Sequence, residues 1–83
     1  MKYRLEATVS ARVDILNRIT TLFIQKGLPV ESVNYKVIDD RMAKVELICS
    51  DADDIRMDRI INQADNMVDI AQVQYTKMDK QQT

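Results

Sequence analysis

The spacing of apolar residues changes period along the chain, and this succession limits the folds the chain can adopt. Residues 3–9 alternate between polar side chains and the apolar side chains of Tyr3, Leu5, Ala7 and Val9. A period of two predicts a strand with one buried face. From Val13 the apolar residues recur every three or four positions until Phe23, which predicts an amphipathic helix of about 14 residues. Gly27 and Pro29 then supply the usual end of a helix.

The same succession returns in the second half of the chain. Alternation runs from Val30 to Ile38 and again over residues 42–49, and the turn residues Asp39 and Asp40 between them predict a hairpin. Residues 50–54 offer a helix cap and an acidic first turn, and a helical apolar stripe follows as far as Met67. A last alternation predicts a fourth strand through Ala71, Val73 and Tyr75.

The two halves also resemble each other when the sequence is shifted by 40 residues. The shift places Leu5-Glu6 on Val45-Glu46 and Val33-Asn34-Tyr35 on Val73-Gln74-Tyr75. A doubled βαβ unit predicts an α+β, ferredoxin-like βαββαβ fold with an antiparallel sheet in the order 2-3-1-4. Both helices cover one face of this sheet, and the other face stays open. We predict one domain over residues 4–76 and a polar tail over residues 77–83.

The composition excludes several kinds of chemistry. The 83 residues include no His, one Cys and one Gly, and the net charge is −1. We therefore predict no catalytic residues, no metal site and no cofactor in this chain, and no nucleic-acid surface. The predicted third strand has none of the aromatics that RNA-recognition sheets carry. No segment predicts a signal peptide or a membrane span, so we expect a cytoplasmic protein that does not bind membranes.

One loop stands out as a candidate binding site. Residues Ser10 to Asp14 join the predicted central strand to the start of the first helix, where amide groups can receive a carboxylate. Arg12 could add a bidentate contact, whereas Asp14 would compete for the same amides. In the alternative interpretation, Asp14 or Ser10 only caps the helix.

Several segments of the sequence resemble the motifs of a known protein family. Leu16-Asn17-Arg18-Ile19, Leu22-Phe23, residues 26–33 and residues 67–73 are similar to motifs of the ACT-domain small subunits of acetolactate (acetohydroxyacid) synthase. The similarity covers about residues 5–76, and the chain length resembles the shortest form of this subunit, which lacks a C-terminal domain.

The resemblance implies a non-catalytic regulatory subunit of branched-chain amino acid biosynthesis. It implies a homodimer formed through the ACT sheets and a large, thiamine-diphosphate-dependent catalytic subunit as partner, which the small subunit activates. In many family members valine binds at the dimer interface, between the loop after strand 1 of one protomer and the start of strand 2 of the other. The candidate effector-binding or interface residues are therefore Ser10, Ala11, Arg12, Val13, Asp14, Ile15, Pro29 and Val30.

The sequence departs from the family pattern at three of these positions. Ala11 and Pro29 stand where the family has Asn, and Asp14 stands where it has the Gly that admits the ligand to the backbone. The loss of two or three polar contacts, at about 1–3 kcal/mol each, would weaken an amino-acid ligand at least tenfold. We therefore predict an activating subunit with weak or absent valine response. Two alternatives are a stand-alone ACT-domain sensor of another amino acid, with Arg12 as carboxylate receptor, and a small enzyme of the acylphosphatase type.

Overall fold

Six elements follow one another in the predicted order in a computed structural model that describes residues 1–12 and 14–78. The elements are β1 (Tyr3–Ser10), α1 (Ile15–Gln25), β2 (Val30–Val37), β3 (Met42–Cys49), α2 (Asp54–Asp65) and β4 (Ile70–Lys77). The four strands form one antiparallel sheet in the order β2-β3-β1-β4. The predicted α+β, ferredoxin-like fold is therefore confirmed.

The first helix begins later than its apolar spacing predicts. The helix α1 starts at Ile15, whose N–H donates to the carbonyl of Arg12 at 3.2 Å, so a turn precedes the helix. Val13, the predicted first helical residue, lies outside the described residues. At the other terminus, β4 continues to Lys77 and residues 79–83 lie outside the described part of the chain, so the boundary of the polar tail stays a prediction.

The core lies between the helices and the odd-numbered residues of the two central strands. Along β1 these side chains are at most 3% exposed, and along β3 all four are completely buried. The helices contribute Ile15, Ile19 and Phe23 from α1 and Met57, Ile60 and Ala64 from α2. The single cysteine, Cys49, is part of this core, and burial raises the pKa of its thiol.

The edge strand β4 deviates from simple alternation. Val73 and Tyr75 are half-buried against the core as predicted, but Ala71 is exposed. A register shift between Thr8 and Val9 causes this, because it brings Ile70 opposite Val9. Ile70 is 7% exposed and takes the buried position that alternation assigns to Ala71.

Local hydrogen bonds determine where α1 ends, where α2 begins and where the chain turns between β2 and β3. After α1, the N–H of Leu28 donates to the carbonyl of Phe23 and that of Gly27 to Ile24, each at 3.0 Å. This is a Schellman motif, and Gly27 takes the left-handed conformation it requires, with φ of 69°. Before α2, the carboxylate of Asp53 accepts the N–H of Arg56 at 2.8 Å, which confirms the predicted cap. The predicted turn at Asp39 is also confirmed, since its carboxylate accepts the N–H groups of Arg41 and Met42.

Two tyrosines of the sheet form hydrogen bonds with carboxylates of α2. The buried Tyr3 donates its hydroxyl to Asp54 at 2.5 Å, and Tyr75 donates to Asp58 at 2.6 Å. The two rings pack edge to face with their centroids 5.6 Å apart. Burial, followed by the bond to Asp54, raises the pKa of Tyr3 to about 12. The bond to Asp58 is the main cause that raises the pKa of Tyr75 to about 12.

We expect Tyr3→Phe to lower the free energy of unfolding by about 1 kcal/mol at neutral pH, because one hydrogen bond is lost while Asp54 can still be hydrated. The raised pKa of Tyr3 means that its contribution is present below pH 10 and is lost between pH 10 and about 12, where the unfolded phenol ionises first. The stability difference between the wild type and Tyr3→Phe should therefore shrink over this range in denaturant titrations.

Tyr35→Phe is the control, since the hydroxyl of Tyr35 has no hydrogen-bond partner among residues 1–12 and 14–78. A difference between wild type and Tyr3→Phe that stays constant up to pH 12 would contradict the assigned role of the Tyr3–Asp54 bond.

Candidate functional site

The loop after β1 is held by backbone hydrogen bonds from both neighbouring strands. The N–H of Ser10 donates to the carbonyl of Asp69 at 2.7 Å, and the N–H of Ala11 donates to the carbonyl of Arg41 at 2.8 Å. Ser10 and Ala11 are half-buried, and the side chain of Ala11 packs against the core. The start of the candidate site is therefore a rigid extension of the sheet.

Asp14 occupies the position before α1, yet its side chain does not cap the helix. Its backbone is already helical, with φ of −87° and ψ of −4°, whereas a capping residue has extended backbone that folds its side chain over the following amides. Asp53, the N-cap of α2, has that extended backbone. The interpretation of Asp14 as a side-chain cap is therefore wrong.

The carboxylate of Asp14 is paired with two arginines instead. The Nε of Arg12 lies 3.6 Å from Oδ1, and the Nε of Arg18 lies 4.0 Å from Oδ2. Arg12 and Asp14 are both more than half exposed, so these contacts contribute little to stability. Their effect is on the electrostatics of the loop, because the carboxylate partly neutralises the cation that would attract an acidic ligand.

Arg18 forms a second and stronger contact. Its Nη1 lies 2.8 Å from Oδ2 of Asp69, whose side chain is only 13% exposed. No local pattern in the sequence indicates this pair, because the two residues are 51 positions apart and meet only when β4 lies beside β1. The bond ties the first turn of α1 to the segment that precedes β4. The sequence prediction of the site did not include either residue.

The remaining predicted site residues fall into separate environments. Ile15 is completely buried and belongs to the core, so its side chain offers no surface to a ligand. Val13 lies outside the described residues. Pro29 is exposed and Val30 half-buried at the start of β2.

Pro29 and Val30 lie at the opposite end of the sheet from the loop. Val30 pairs with Cys49 at one end of β3, whereas Ser10 pairs with Met42 at the other end. Seven residue steps of a strand separate these ends, which corresponds to about 23 Å. The two halves of the predicted site therefore do not meet within one chain.

The described residues of the loop and the side chains that contact them offer no arrangement that could catalyse a reaction by a familiar route. Together with Arg18 and Asp69 outside the loop, they provide two arginines, two aspartates, a serine and apolar groups, and among these no nucleophile–base pair is formed. Among residues 1–12 and 14–78, no group of three or more His, Cys, Asp or Glu side chains is placed to hold a metal ion. Within the same residues, neither helix has the length and apolar character that a membrane crossing needs.

Comparison with known proteins gives likenesses of fold. No family model matches the chain, and neither does the sequence of any curated protein. Among solved structures, the C-terminal domain of the MgtC protein from Mycobacterium tuberculosis is similar with a TM-score of 0.71 and 8% identity, over 95% of this chain and 88% of that chain. A homoserine dehydrogenase from Thiobacillus denitrificans is similar with a TM-score of 0.81 and 14% identity, over 94% of this chain and 17% of that chain.

A third similar structure bears on the resemblance found in the sequence. The acetolactate synthase small subunit from Thermotoga maritima aligns with a TM-score of 0.76 and 15% identity. The alignment covers 98% of this chain and 50% of that chain, so the present chain spans half the length of that subunit. At these identities the likeness establishes the ferredoxin-like fold alone.

Proposed function

We propose that this chain is a non-catalytic, activating small subunit of an acetolactate synthase in branched-chain amino acid biosynthesis, with weak or absent valine response. The motifs of residues 16–33 and 67–73 support the assignment to this family, and the ACT-like fold is compatible with it. The observation that carries the regulatory part of the proposal is the position of Asp14, whose carboxylate lies at the start of α1 between Arg12 and Arg18.

The carboxylate of Asp14 disfavours an amino-acid effector in two ways. It places a negative charge where the carboxylate of the effector would approach the helix, and it engages the nearest free cation, Arg12. At the other half of the proposed site, Pro29 has neither a side-chain amide nor a backbone N–H to offer the ligand. These features support a subunit whose activating role is retained while feedback by valine is lost.

We expect no heat of binding when the isolated chain is titrated with valine at micromolar concentrations in a calorimeter. The triple variant Ala11→Asn, Asp14→Gly and Pro29→Asn restores the polar groups of the family pattern, and we expect it to bind valine at least tenfold more tightly than the wild type. Leucine and glutamate serve as controls for ligand size and charge. Micromolar binding of valine by the wild type would contradict the proposal.

The separation of the loop from Pro29 supports a homodimer. No strand among residues 1–12 and 14–78 pairs with the outer edge of β2, so its backbone groups can pair with a second β2. Antiparallel pairing about a two-fold axis places the start of β2 of one copy beside the end of β2 of the other, close to that copy's β1–α1 loop. Both halves of the predicted site are then assembled from two chains.

Exposed apolar side chains beside the β2 edge also favour association with a second copy. On the helix side of β2, Val33 is 40% exposed and Val37 is 58% exposed. The flank of α1 that faces the same edge presents Leu16, Thr20 and Ile24 at helical spacing, and Ile24 is 69% exposed. An apolar strip beside an unpaired strand is what an obligate interface needs.

We expect Val33→Lys to convert the edge dimer to free chains, because each copy would bring a cation to the centre of the paired strands. The matched control is Val68→Lys, since Val68 is 96% exposed in the turn before β4 and lies far from β2. Sedimentation equilibrium at an ionic strength of about 0.15 M, where exposed charges are screened, should show a lower mass for Val33→Lys alone. Equal masses for both variants and the wild type would contradict an interface at β2.

The proposed role itself is tested with the catalytic subunit. Affinity-tagged chain should retain the thiamine-diphosphate-dependent large subunit, and its addition should raise acetolactate formation by that subunit several-fold. Valine added to the complex should leave the rate unchanged. Absence of both retention and stimulation would contradict the proposal, and a chain that binds an amino acid without retaining a large subunit would instead be the stand-alone sensor.

A further inference from the structure

The face of the sheet that is turned away from the helices has an ordered distribution of charge. This open face consists of the even-numbered residues of the strands, at positions 4–10, 32–36, 42–48 and 72–76. The register places Ala7, Tyr35, Val45 and Val73 in one row across the four strands. This central row divides the open face into two sides.

Like charges lie directly opposite each other on both sides of the central row. On one side Glu6 is the partner of Glu46, and on the other side Lys36 is the partner of Lys44. Directly opposed like charges destabilise a sheet. The Nε of Arg4, at 3.6 Å from Glu46, offsets part of this repulsion. Within the described ranges neither Lys36 nor Lys44 forms an ion pair that would offset the other part.

We propose that the open face binds the open face of a second copy of this chain, about a two-fold axis that runs along the central row. Such an axis carries the residues on one side of the row onto the other side. Lys44 of each copy then faces Glu46 of the other, which forms two ion pairs on β3, whereas Glu6 and Lys36 face the neutral side chains of Thr8 and Asn34. The surface is complementary to itself.

The remaining residues of the open face are also compatible with this two-fold axis. On β3 the two apolar residues of the open face, Met42 and Ile48, are equally far from Val45 and therefore face each other across the axis. On β1 Glu6 faces the hydroxyl of Thr8, and on β4 the amides of Gln72 and Gln74 face each other. No pair related by the axis brings together two charges of the same sign.

The alternative two-fold orientation is unfavourable. An axis parallel to the strands would leave each row facing its own copy, so the Glu6 and Glu46 row would lie over itself and the lysine row would do the same. Aligned sheets cross at about 30°, so contacts near the centre of the face are best preserved. Lys44 and Glu46 are on a central strand and flank the central row, so they determine the orientation.

The size of the face indicates a weak and salt-sensitive association. Four strands of eight residues cover about 27 by 19 Å, or about 500 Å², whereas a stable complex buries about 800 Å² per partner. Most of the face is polar, so its contribution is electrostatic. The interface is distinct from the β2 edge and does not depend on the proposed function or on the catalytic subunit.

The experiment compares charge reversals in a chain whose β2 edge is blocked by Val33→Lys, so that only the open face can associate. Sedimentation is measured at ionic strengths of about 0.01 M and about 0.15 M, where the screening length falls from about 30 to about 8 Å. We expect the background chain to form dimers at the lower ionic strength. Lys44→Glu alone and Glu46→Lys alone should each weaken this dimer by more than about tenfold, because each brings two pairs of like charges together.

Mixing the two variants gives a sharper result. In a mixed dimer, the lysine introduced by Glu46→Lys faces the glutamate introduced by Lys44→Glu, and the native Lys44 faces the native Glu46. An equimolar mixture should therefore recover dimers, and so should the chain that carries both reversals. Arg59→Glu is the matched control, since it makes the same charge change at an exposed position of α2 and should leave the dimer unchanged.

Folding of the single variants is checked by thermal unfolding. Lys44→Glu places a carboxylate opposite Lys36 and should be no less stable than the background chain. Glu46→Lys places an ammonium opposite Glu6 but also beside Arg4, so it should be at most slightly less stable. A background chain that stays monomeric at low salt would overturn the proposal. Dimers that survive both single reversals, or a mixture that stays monomeric, would overturn it as well.

Discussion

The strict alternation along β1 and β3 is the constraint on which the rest of the structure depends. Every second side chain of these central strands is buried against the helices, and every intervening one lies on the open face. A slip of one residue in the register would bring Glu6 or Lys44 into the core and expose Leu5 or Val45. Register is therefore fixed by a large difference in burial energy. The charge rows of the open face and the position of the β1–α1 loop are consequences of that fixed register.

The doubled topology explains why the two halves of the predicted site lie far apart within one chain. In each βαβ half, the loop that enters the helix and the start of the following strand lie at opposite ends of the sheet. Arg12 and Pro29 are therefore separated by the length of β3, although they are only 17 positions apart in the sequence. Two-fold pairing of β2 brings opposite ends of two sheets together. An effector held between such chains would link its binding directly to the association of the protomers.

Much of the fold could be predicted from the sequence because its signals are local. The six elements, the hairpin at Asp39 and the cap at Asp53 each depend on residues a few positions apart. The bonds from Tyr3 to Asp54 and from Arg18 to Asp69 could not be predicted, because each joins residues 51 positions apart. The exposure of Ala71 depends on a register shift that alternation does not reveal. Aspartate is a common helix cap, but the helical backbone torsions of Asp14 keep its side chain from capping α1.

The two edges of the sheet differ, and the tyrosine contacts account for the difference. Tyr3 and Tyr75 bind Asp54 and Asp58 of α2, which holds that helix over β1 and β4. The apolar residues of β4, Val73 and Tyr75, are therefore half-buried, whereas Val33 and Val37 on β2 are more exposed, at 40% and 58%. The proposed association through β2 would bury apolar surface and depend little on salt, since hydrophobic burial is not screened. Association through the open face depends on charge. The same fold thus presents two surfaces whose strengths respond differently to ionic strength.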